Sequence, residues 1–259
     1  VIAGKSVRIC RVGMAGTLAY EVHGLIEDAH PVYKTIYDTG LPYGLRRLGG
    51  HCYQMNHAEN GFPQYGLHFI YSRDVTMPNL CGSAADDINN YYPNPYELGW
   101  GKMIKFDHDF VGREALEKIA AENKRQIVSL EWNSEDIADV FASQFKDGEP
   151  YKYIDTPTDR NLWPDFSMST PRDKVINEKG ETIGLSFGRQ NSAYFHRMIS
   201  ICSLATAYTE LGTEVLIVWG EPGTRQKKIR AKVARYPYNN VLRNESTDVS
   251  LLPKAQSKK

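Results

Sequence analysis

The side chains best suited to chemistry lie in one short segment. Tyr53 and His57 are four residues apart in a stretch predicted to be helical, so they share one face of that helix. Both can form hydrogen bonds, and the aromatic Phe62 follows just after the predicted helix end. Such a group could bind a polar aromatic ligand. The structural alternative is an interface tyrosine, a hydrogen-bonded histidine and a core phenylalanine.

Other residues that often bind metals or form disulfides are poorly placed for either role. His51 is six residues from His57 and does not share its helical face, so no metal site is predicted. The four cysteines are far apart and form no CxxC pair: Cys10, Cys52, Cys81 and Cys202. This spacing indicates neither a zinc site nor a disulfide framework and favours a reducing, cytoplasmic location. Each cysteine is expected to be a small buried apolar residue.

The composition is that of an ordinary globular protein. Of the 259 residues, 41% are hydrophobic and 24% are charged, and the length allows one or two domains. Lys plus Arg and Asp plus Glu both number 31, so the charge gives no reason to expect binding to nucleic acid or to an anionic membrane. No stretch reaches the ~18 consecutive apolar residues that span a bilayer. The first residues also lack the pattern of a signal peptide.

The first half of the chain mixes strand and helix patterns. Residues 7–24 resemble two strands around a glycine-containing turn. Apolar residues at helical spacing predict three helices, over residues 30–39, 44–59 and 112–123. Gly40 is predicted to end the first helix and Gly61 the second. Residues 71–97, with their prolines and asparagines, are predicted to form a long loop.

The second half is dominated by short strands. Runs of strand type, separated by glycines, occur at residues 127–132, 174–176, 182–187, 199–207, 214–218 and 227–234. Short strands with glycine turns predict a β-barrel or sandwich over residues 125–238. Residues 134–172 are predicted to be a polar insertion, and residues 239–259 a disordered tail. The expected fold class is therefore α+β.

Three stretches, taken in order, resemble one family. RVGMAGTLAYE at residues 11–21 is similar to a strand–turn–strand motif usually written R-x-G-Y-T-G-E-x-G-x-E. YELGWGKMIKFDHDFVGREAL at residues 96–116 is similar to A-G-L-G-W-x-V-K-x-x-K-x-F-I-G-R-E-A-L. Residues 184–199, with GTEV and KIRAKV further on, resemble a final barrel. These are motifs of tetrahydrofolate-dependent aminomethyltransferases, the family of the glycine-cleavage T-protein, and the resemblance covers residues 5–238.

The departures from the family pattern point to one branch. His57-Ala-Glu59 stands where glycine-cleavage enzymes carry Arg-Leu-Glu. HCYQMNHAENGFPQYG at residues 51–66 resembles enzymes that demethylate aryl methyl ethers such as vanillate and syringate. Trp132-Asn133 and the YKYID run at residues 151–155 resemble the same branch.

The resemblance implies a domain organisation. The family has an N-terminal domain, a ferredoxin-like domain and a C-terminal barrel. On this pattern, residues 1–124 are the ferredoxin-like part of the folate-binding domain, and residues 125–238 are the barrel. An N-terminal part is then expected to be missing from this chain, together with the family's acidic residue near folate N5.

The resemblance also implies roles for individual residues. Glu21 occupies the position of a glutamate that binds the pterin of tetrahydrofolate, and Tyr20 belongs to the same cofactor site. One carboxylate can accept the pterin N3–H and 2-amino group together. The structural alternative for Glu21 is a solvent-facing strand residue. On the substrate side, Tyr53 is the candidate catalytic group, and His57 and Phe62 are candidate substrate contacts.

The implied reaction is methyl transfer from a methoxylated aromatic acid to tetrahydrofolate, with a small-molecule substrate and neither nucleic acid nor membrane as partner. Two alternatives stay open. One is an aminomethyltransferase that acts with a lipoyl carrier protein, as in glycine cleavage. The other is a folate-binding module without catalysis.

Overall fold

The computed structural model describes residues 1–14, 16–65, 68–70, 79–155 and 169–240. It divides into two compact units. The first holds Val1–Arg47 and, of the described C-terminal residues, Asn239 and Asn240; the second is Leu48–Tyr238. The domain boundary expected at residue 124 rests on the family motifs and stays a prediction. Most of the predicted disordered tail, residues 241–259, lies outside the described residues.

The first unit contains a small hairpin and a helix. Strand β1, Arg8–Cys10, pairs antiparallel with β2, Glu21–His23, with Cys10 opposite Glu21. This confirms the two strands predicted around the turn. All six strand residues are exposed. The hairpin therefore presents its side chains outward instead of burying them within its own unit.

Helix α1, Ala29–Gly40, follows the hairpin and ends at Gly40, as predicted. Gly40 keeps a right-handed conformation, with φ −79°, and the chain continues into a 3-10 turn over Leu41–Tyr43. The left-handed residue is Gly44, with φ 82°. A glycine permits the left-handed conformation but does not require it. The predicted end of the α-helix at Gly40 is therefore confirmed, and the left-handed glycine that ends the following 3-10 turn lies four residues later.

Helix α2, Gly50–Asn60, lies in the second unit and is shorter than predicted. It was expected to begin at residue 44, but it begins after Gly49, which has an extended conformation with ψ 166°. Its end was predicted correctly: Gly61 has φ 64° and its N–H donates to the carbonyl of His57. The helix therefore carries Tyr53 and His57 on one rigid element.

A closed antiparallel barrel forms the rest of the second unit. Its strands are β4 Arg125–Trp132, β5 Ser169–Ile176, β6 Thr182–Ser192, β7 Arg197–Ala205, β8 Glu214–Trp219 and β9 Lys227–Ala234. Their order around the barrel is β5-β6-β7-β4-β9-β8, and pairing between β8 and β5 closes it. A short strand, β3, Asn79–Cys81, adds to β5 in parallel. The predicted barrel is confirmed, and the fold is α+β.

Two hydrophobic clusters fill the barrel and cover one side of it. The larger contains Leu130, Trp132, Cys202, Ile217 and Ile229, all almost fully buried. A smaller cluster, outside the barrel, is built from Phe69, Leu98, Ile127, Phe187 and Ile201. Strands β4 and β7 are therefore buried on both faces, because α2 and the segments that follow it pack on the outside.

Three local predictions need correction. The loop expected over residues 71–97 contains β3 and a 3-10 turn at Ile88–Tyr91, while residues 71–78 lie outside the described residues. The insertion expected over residues 134–172 contains helix α4, Ser134–Ala142, and the start of β5. The strand predicted over residues 174–176 is shorter than β5, because the residues just before it, Arg172 and Asp173, are polar and are buried through specific contacts.

Helix α3, Arg113–Glu122, confirms the helix predicted over residues 112–123, and Gly112 precedes it with φ 89°. The expectation of four buried cysteines is confirmed only for Cys202: Cys81 is partly buried, and Cys10 and Cys52 are exposed. Cys10 lies on β1, where all three residues are exposed, so its position on a strand did not imply that it would be buried.

Candidate functional site

The cofactor residues suggested by the sequence lie on the hairpin of the first unit. Glu21 is the first residue of β2, and its side chain is 53% exposed. Its Oε2 lies 3.1 Å from Nε2 of His23. Tyr20, immediately before it, is 55% exposed. Both side chains are therefore accessible to a ligand within the part of the chain that the structure describes.

The substrate residues suggested by the sequence come together in the second unit. The rings of Tyr53 and His57 meet edge to face, with centroids 4.7 Å apart. The ring of Phe62 lies 5.6 Å from that of His57 and is 41% exposed, so Phe62 is not a core residue. The hydroxyl of Tyr53 donates to Oε1 of Gln64 at 2.8 Å. The helix and the turn after it thus place two aromatic rings beside a histidine.

His57 is fully buried, and its protonation follows from its partners. Its Nδ1 lies 2.7 Å from the carbonyl oxygen of Phe62, which can only accept, so Nδ1 carries the proton of the neutral ring. Burial lowers the pKa of His57, and the Phe62 hydrogen bond opposes this only in part. Nε2 has no hydrogen-bond partner among the described residues. His57 therefore presents a neutral ring with one unused acceptor.

Sequence reasoning missed the residues that hold this group in place. The backbone N–H of Gln64 donates to Nδ1 of His68 at 2.9 Å. The carbonyl of His68 in turn accepts from Nη2 of Arg172 at 2.8 Å. Burial lowers the pKa of His68 to about 3, and the charge of Arg172 acts in the same direction. Gln64 thus joins Tyr53 to a buried network that reaches the barrel.

A second missed set anchors α2 to strand β6. The hydroxyl of Ser192 donates to Oε1 of Glu59 at 2.6 Å, and both residues are buried. Nε2 of Gln190 donates to Oε1 of Gln54 at 3.3 Å. Burial raises the pKa of Glu59, and the Ser192 hydrogen bond opposes this shift. These partners are more than 130 residues apart in the sequence, so no local spacing could reveal them.

Two kinds of site are not found in the described part of the chain. No group of three or more His, Cys, Asp or Glu side chains there is placed to hold a metal ion. None of the helices that the structure describes is long and apolar enough to cross a membrane.

Comparison with known proteins gives two relatives of high similarity. The chain is 41% identical to a sesamin methylene transferase of Sinomonas sp. (strain No.22), a match that covers 98% of this chain and 61% of that protein. It is 34% identical to a syringate O-demethylase of Sphingobium sp. (strain NBRC 103272 / SYK-6), over 95% of this chain and 57% of that protein. The chain thus spans about three fifths of the length of each of these two relatives. No family model matches it.

A solved structure shares the fold. The glycine cleavage system aminomethyltransferase T from Bartonella henselae superposes with a TM-score of 0.57 at 16% identity, covering 91% of this chain and 50% of that one. The fold agrees with the motifs and with the two relatives. The chain therefore belongs to the family of tetrahydrofolate-dependent aminomethyltransferases, in the branch that includes the syringate O-demethylase.

Proposed function

We propose that the protein moves a methyl group from a methoxylated aromatic acid to tetrahydrofolate, giving a phenol and 5-methyltetrahydrofolate. The observation that carries this proposal is the similarity to a syringate O-demethylase over 95% of the chain. In this reaction a carbon–oxygen bond breaks and a carbon–nitrogen bond forms. The phenol oxygen keeps the electron pair of the broken bond and takes up one proton, which balances the proton that the folate nitrogen loses on methylation, so no oxidant is needed.

Glu21 and Tyr20 are the residues proposed to hold the folate. A carboxylate that is half exposed and bonded through one oxygen to His23 fits a ligand edge with two adjacent N–H donors. A pterin has such an edge. Tetrahydrofolate, when bound, supplies the nucleophilic nitrogen that accepts the one-carbon unit. Glu21 would orient the ring, and Tyr20 would add aromatic surface beside it.

Tyr53, His57 and Phe62 are proposed to receive the aromatic substrate. Phe62 offers an exposed ring face, and the neutral His57 has an acceptor nitrogen without a partner among the described residues. Tyr53 brings a half-buried hydroxyl that is already oriented by Gln64. This combination of aromatic surface with a few positioned polar atoms is typical of small-molecule sites.

Tyr53 is proposed to assist the leaving oxygen. A phenolate leaves poorly from a neutral ether, so a hydrogen bond at the ether oxygen lowers the barrier. A tyrosine, with an ordinary pKa of ~10, is well matched to a phenol. In the structure the Tyr53 proton points to Oε1 of Gln64. The ether oxygen would have to replace Gln64 as the acceptor, and Gln64 would keep the hydroxyl poised until then.

A second candidate is transfer of a methylene group from an aryl ether. It is favoured by one observation, the 41% identity to a sesamin methylene transferase over 98% of the chain. Both candidates break a bond between an aryl oxygen and a one-carbon unit. They differ in the one-carbon group that the site must accommodate, which is a methyl group in the first candidate and a methylene group in the second. The aminomethyl transfer expected of a glycine-cleavage enzyme, and binding of folate without catalysis, are the remaining alternatives.

One set of assays separates these functions. The full-length protein is incubated with tetrahydrofolate and with syringate, vanillate, sesamin or an aminomethylated lipoyl carrier protein, and the folate products are resolved by chromatography. We expect 5-methyltetrahydrofolate and the matching phenol from a methoxybenzoate. Turnover of sesamin alone would favour methylene transfer. If the aminomethyl group of the carrier protein is released and no other substrate is turned over, the result would favour the aminomethyltransferase. Folate binding without any product would reject catalysis.

A further inference from the structure

A cavity of about 680 Å³ opens between α4 and the end of the barrel where β4 and β6 finish and β7 begins. Charged and polar side chains make up most of its lining. An apolar part of the wall comes from the core and from α4: Trp132, Ile137, Phe141, Ile154 and Met198. This volume is in the range of cavities that hold small organic ligands. The aromatic and aliphatic walls would suit a flat ring.

Arg189 is a buried charge that lines this cavity. Its side chain is 8% exposed, and its guanidinium carbon lies 4.9 Å from the ring centre of Trp219. Nη2 donates to the backbone oxygen of Asp155 at 2.6 Å and lies 3.2 Å from its Oδ1. Nε and Nη1 have no hydrogen-bond partner among the described residues. These two donors of a guanidinium that lines the cavity are available to an anionic ligand.

The protein's own carboxylate compensates this charge only in part. The side chain of Asp155 is 66% exposed, so water screens its charge. The other acids at the cavity are already paired: Glu131 lies 2.9 Å from Arg197, and Glu214 lies 3.5 Å from Lys232. A guanidinium binds both carboxylates and phosphates through parallel hydrogen bonds. The other Lys and Arg side chains of the lining, Arg197, Arg230 and Lys232, are each paired with a carboxylate. Among the described residues, Arg189 is then the lining cation with free donors, and its single charge is matched by a monoanionic carboxylate.

The cavity is separate from the site proposed on α2. Arg189 and Asn191 line the cavity, whereas Gln190 between them bonds to Gln54 of α2. Neighbouring residues of a strand point to opposite faces, so β6 lies between the two places. None of Tyr53, His57 and Phe62 lines the cavity.

We propose that the cavity at the barrel end is a second ligand site, which binds a small aromatic carboxylate through Arg189 with the ring between Trp132 and α4. This site carries no step of the proposed methyl transfer. Its role is to bind an aromatic acid, either as a reservoir or as a signal of its concentration.

Calorimetric titration of the full-length protein with benzoate tests this site, with neutral benzamide as the matched probe. We expect benzoate to bind at least tenfold more tightly than benzamide, because only the carboxylate can pair with Arg189. Arg189→Gln should weaken benzoate binding by about tenfold or more, the scale of a charge-assisted hydrogen bond. Ile137→Trp should abolish it by filling the cavity while leaving Arg189 intact.

Tyr53→Phe is the control for the site on α2 and should leave the benzoate titration unchanged. Benzoate binding that is weakened by Tyr53→Phe but not by Arg189→Gln would overturn the proposal, because the probe would then occupy the α2 site. Equal affinity for benzoate and benzamide would also overturn it. If Arg189→Gln fails to fold, Ile137→Trp decides the question: unchanged benzoate affinity in that variant rejects the site. These outcomes are independent of whether the protein transfers methyl groups.

Discussion

The hairpin that carries Glu21 and the helix that carries Tyr53 place their polar groups in opposite environments. On the hairpin every strand residue is exposed, and the carboxylate of Glu21 is half exposed and pairs with an equally exposed His23. On α2 the residues from His57 to Asn60 are buried; Nδ1 of His57 bonds to the turn after the helix, and Glu59 bonds to the barrel. One region leaves its hydrogen-bonding capacity to solvent or a ligand, and the other uses it in folding.

This difference separates binding energy from folding energy. A group that is hydrated in the free protein can be replaced with little loss of stability, and its loss is measured in ligand affinity. A buried polar group that loses its partner keeps its desolvation cost, so its loss is measured in the free energy of unfolding. Tyr53 stands between these cases, because its hydroxyl is half buried but is bonded to a side chain that a ligand could replace.

The largest expected effect is on turnover and comes from Tyr53→Phe. The change removes the hydroxyl and keeps the ring, so the packing against His57 is retained. We expect demethylation of a methoxybenzoate to slow by ~10²-fold, the usual scale for a positioned proton donor, with tetrahydrofolate affinity nearly unchanged. Steady-state kinetics measure this, with Tyr194→Phe, an exposed tyrosine, as the control. Equal kcat and equal KM in Tyr53→Phe would leave Tyr53 as a packed aromatic only.

The next effect concerns affinity without stability. Glu21→Gln replaces one acceptor with a donor that faces the N–H groups of the pterin. The affinity for tetrahydrofolate should therefore fall by about tenfold or more. Because Glu21 is exposed, the free energy of unfolding should change by no more than ~0.5 kcal/mol.

Calorimetry measures the folate affinity and urea unfolding measures the stability, and Glu27→Gln in the same unit is the control. Unchanged folate affinity would remove Glu21 from the site.

The third effect is a pH dependence of stability that belongs to the buried region. The pKa of His68 is about 3 in the folded protein and about 6.5 when unfolded, so the unfolded state binds more protons between these values. The contribution is complete above pH 6.5 and is lost as the pH falls. Between pH 7.5 and pH 5 the loss of stability is about 2 kcal/mol. Only the 1.5 pH units below 6.5 contribute, at about 1.4 kcal/mol per pH unit.

Urea unfolding of the wild type and of His68→Asn at both pH values checks this contribution. Asparagine keeps an acceptor for the N–H of Gln64 but does not titrate. Asp173, whose pKa is raised by burial to about 6, changes stability in the opposite direction, so the comparison between the two proteins is the informative quantity. The same pH dependence in both would show that His68 is not the buried neutral ring described here.

The smallest expected effect is that of Ser192→Ala. It removes the donor to Glu59 and the acceptor for the N–H of Phe195, which should lower the free energy of unfolding by about 1–2 kcal/mol. Tetrahydrofolate affinity should not change. Thermal or urea unfolding checks this, with the exposed Ser6→Ala as the control. A loss of folate affinity at unchanged stability would contradict the separation between the two regions.

Local pattern was enough to predict the barrel and most helices. The runs over residues 127–132, 182–187 and 227–234 became β4, β6 and β9, because alternation and glycine turns act within a few residues. The spacing of Tyr53 and His57 likewise predicted their contact, since residues four apart meet on a helix. The predicted start of α2 is too early: residues 44–49 are not helical, and the helix begins only after Gly49, the first glycine of a Gly-Gly pair.

The tertiary structure decided everything that depends on distant partners. His68, which accepts from the N–H of Gln64, is held by Arg172, about a hundred residues away, and Glu59 is held by Ser192. Arg189 lies just beyond the strand predicted over residues 182–187, and only closure of the barrel beside α4 buries it at a cavity. Periodicity reports which face of an element is apolar, but not which element will cover it. Hydrogen bonds and cavities arise from that covering, so they are set only when the chain has closed on itself.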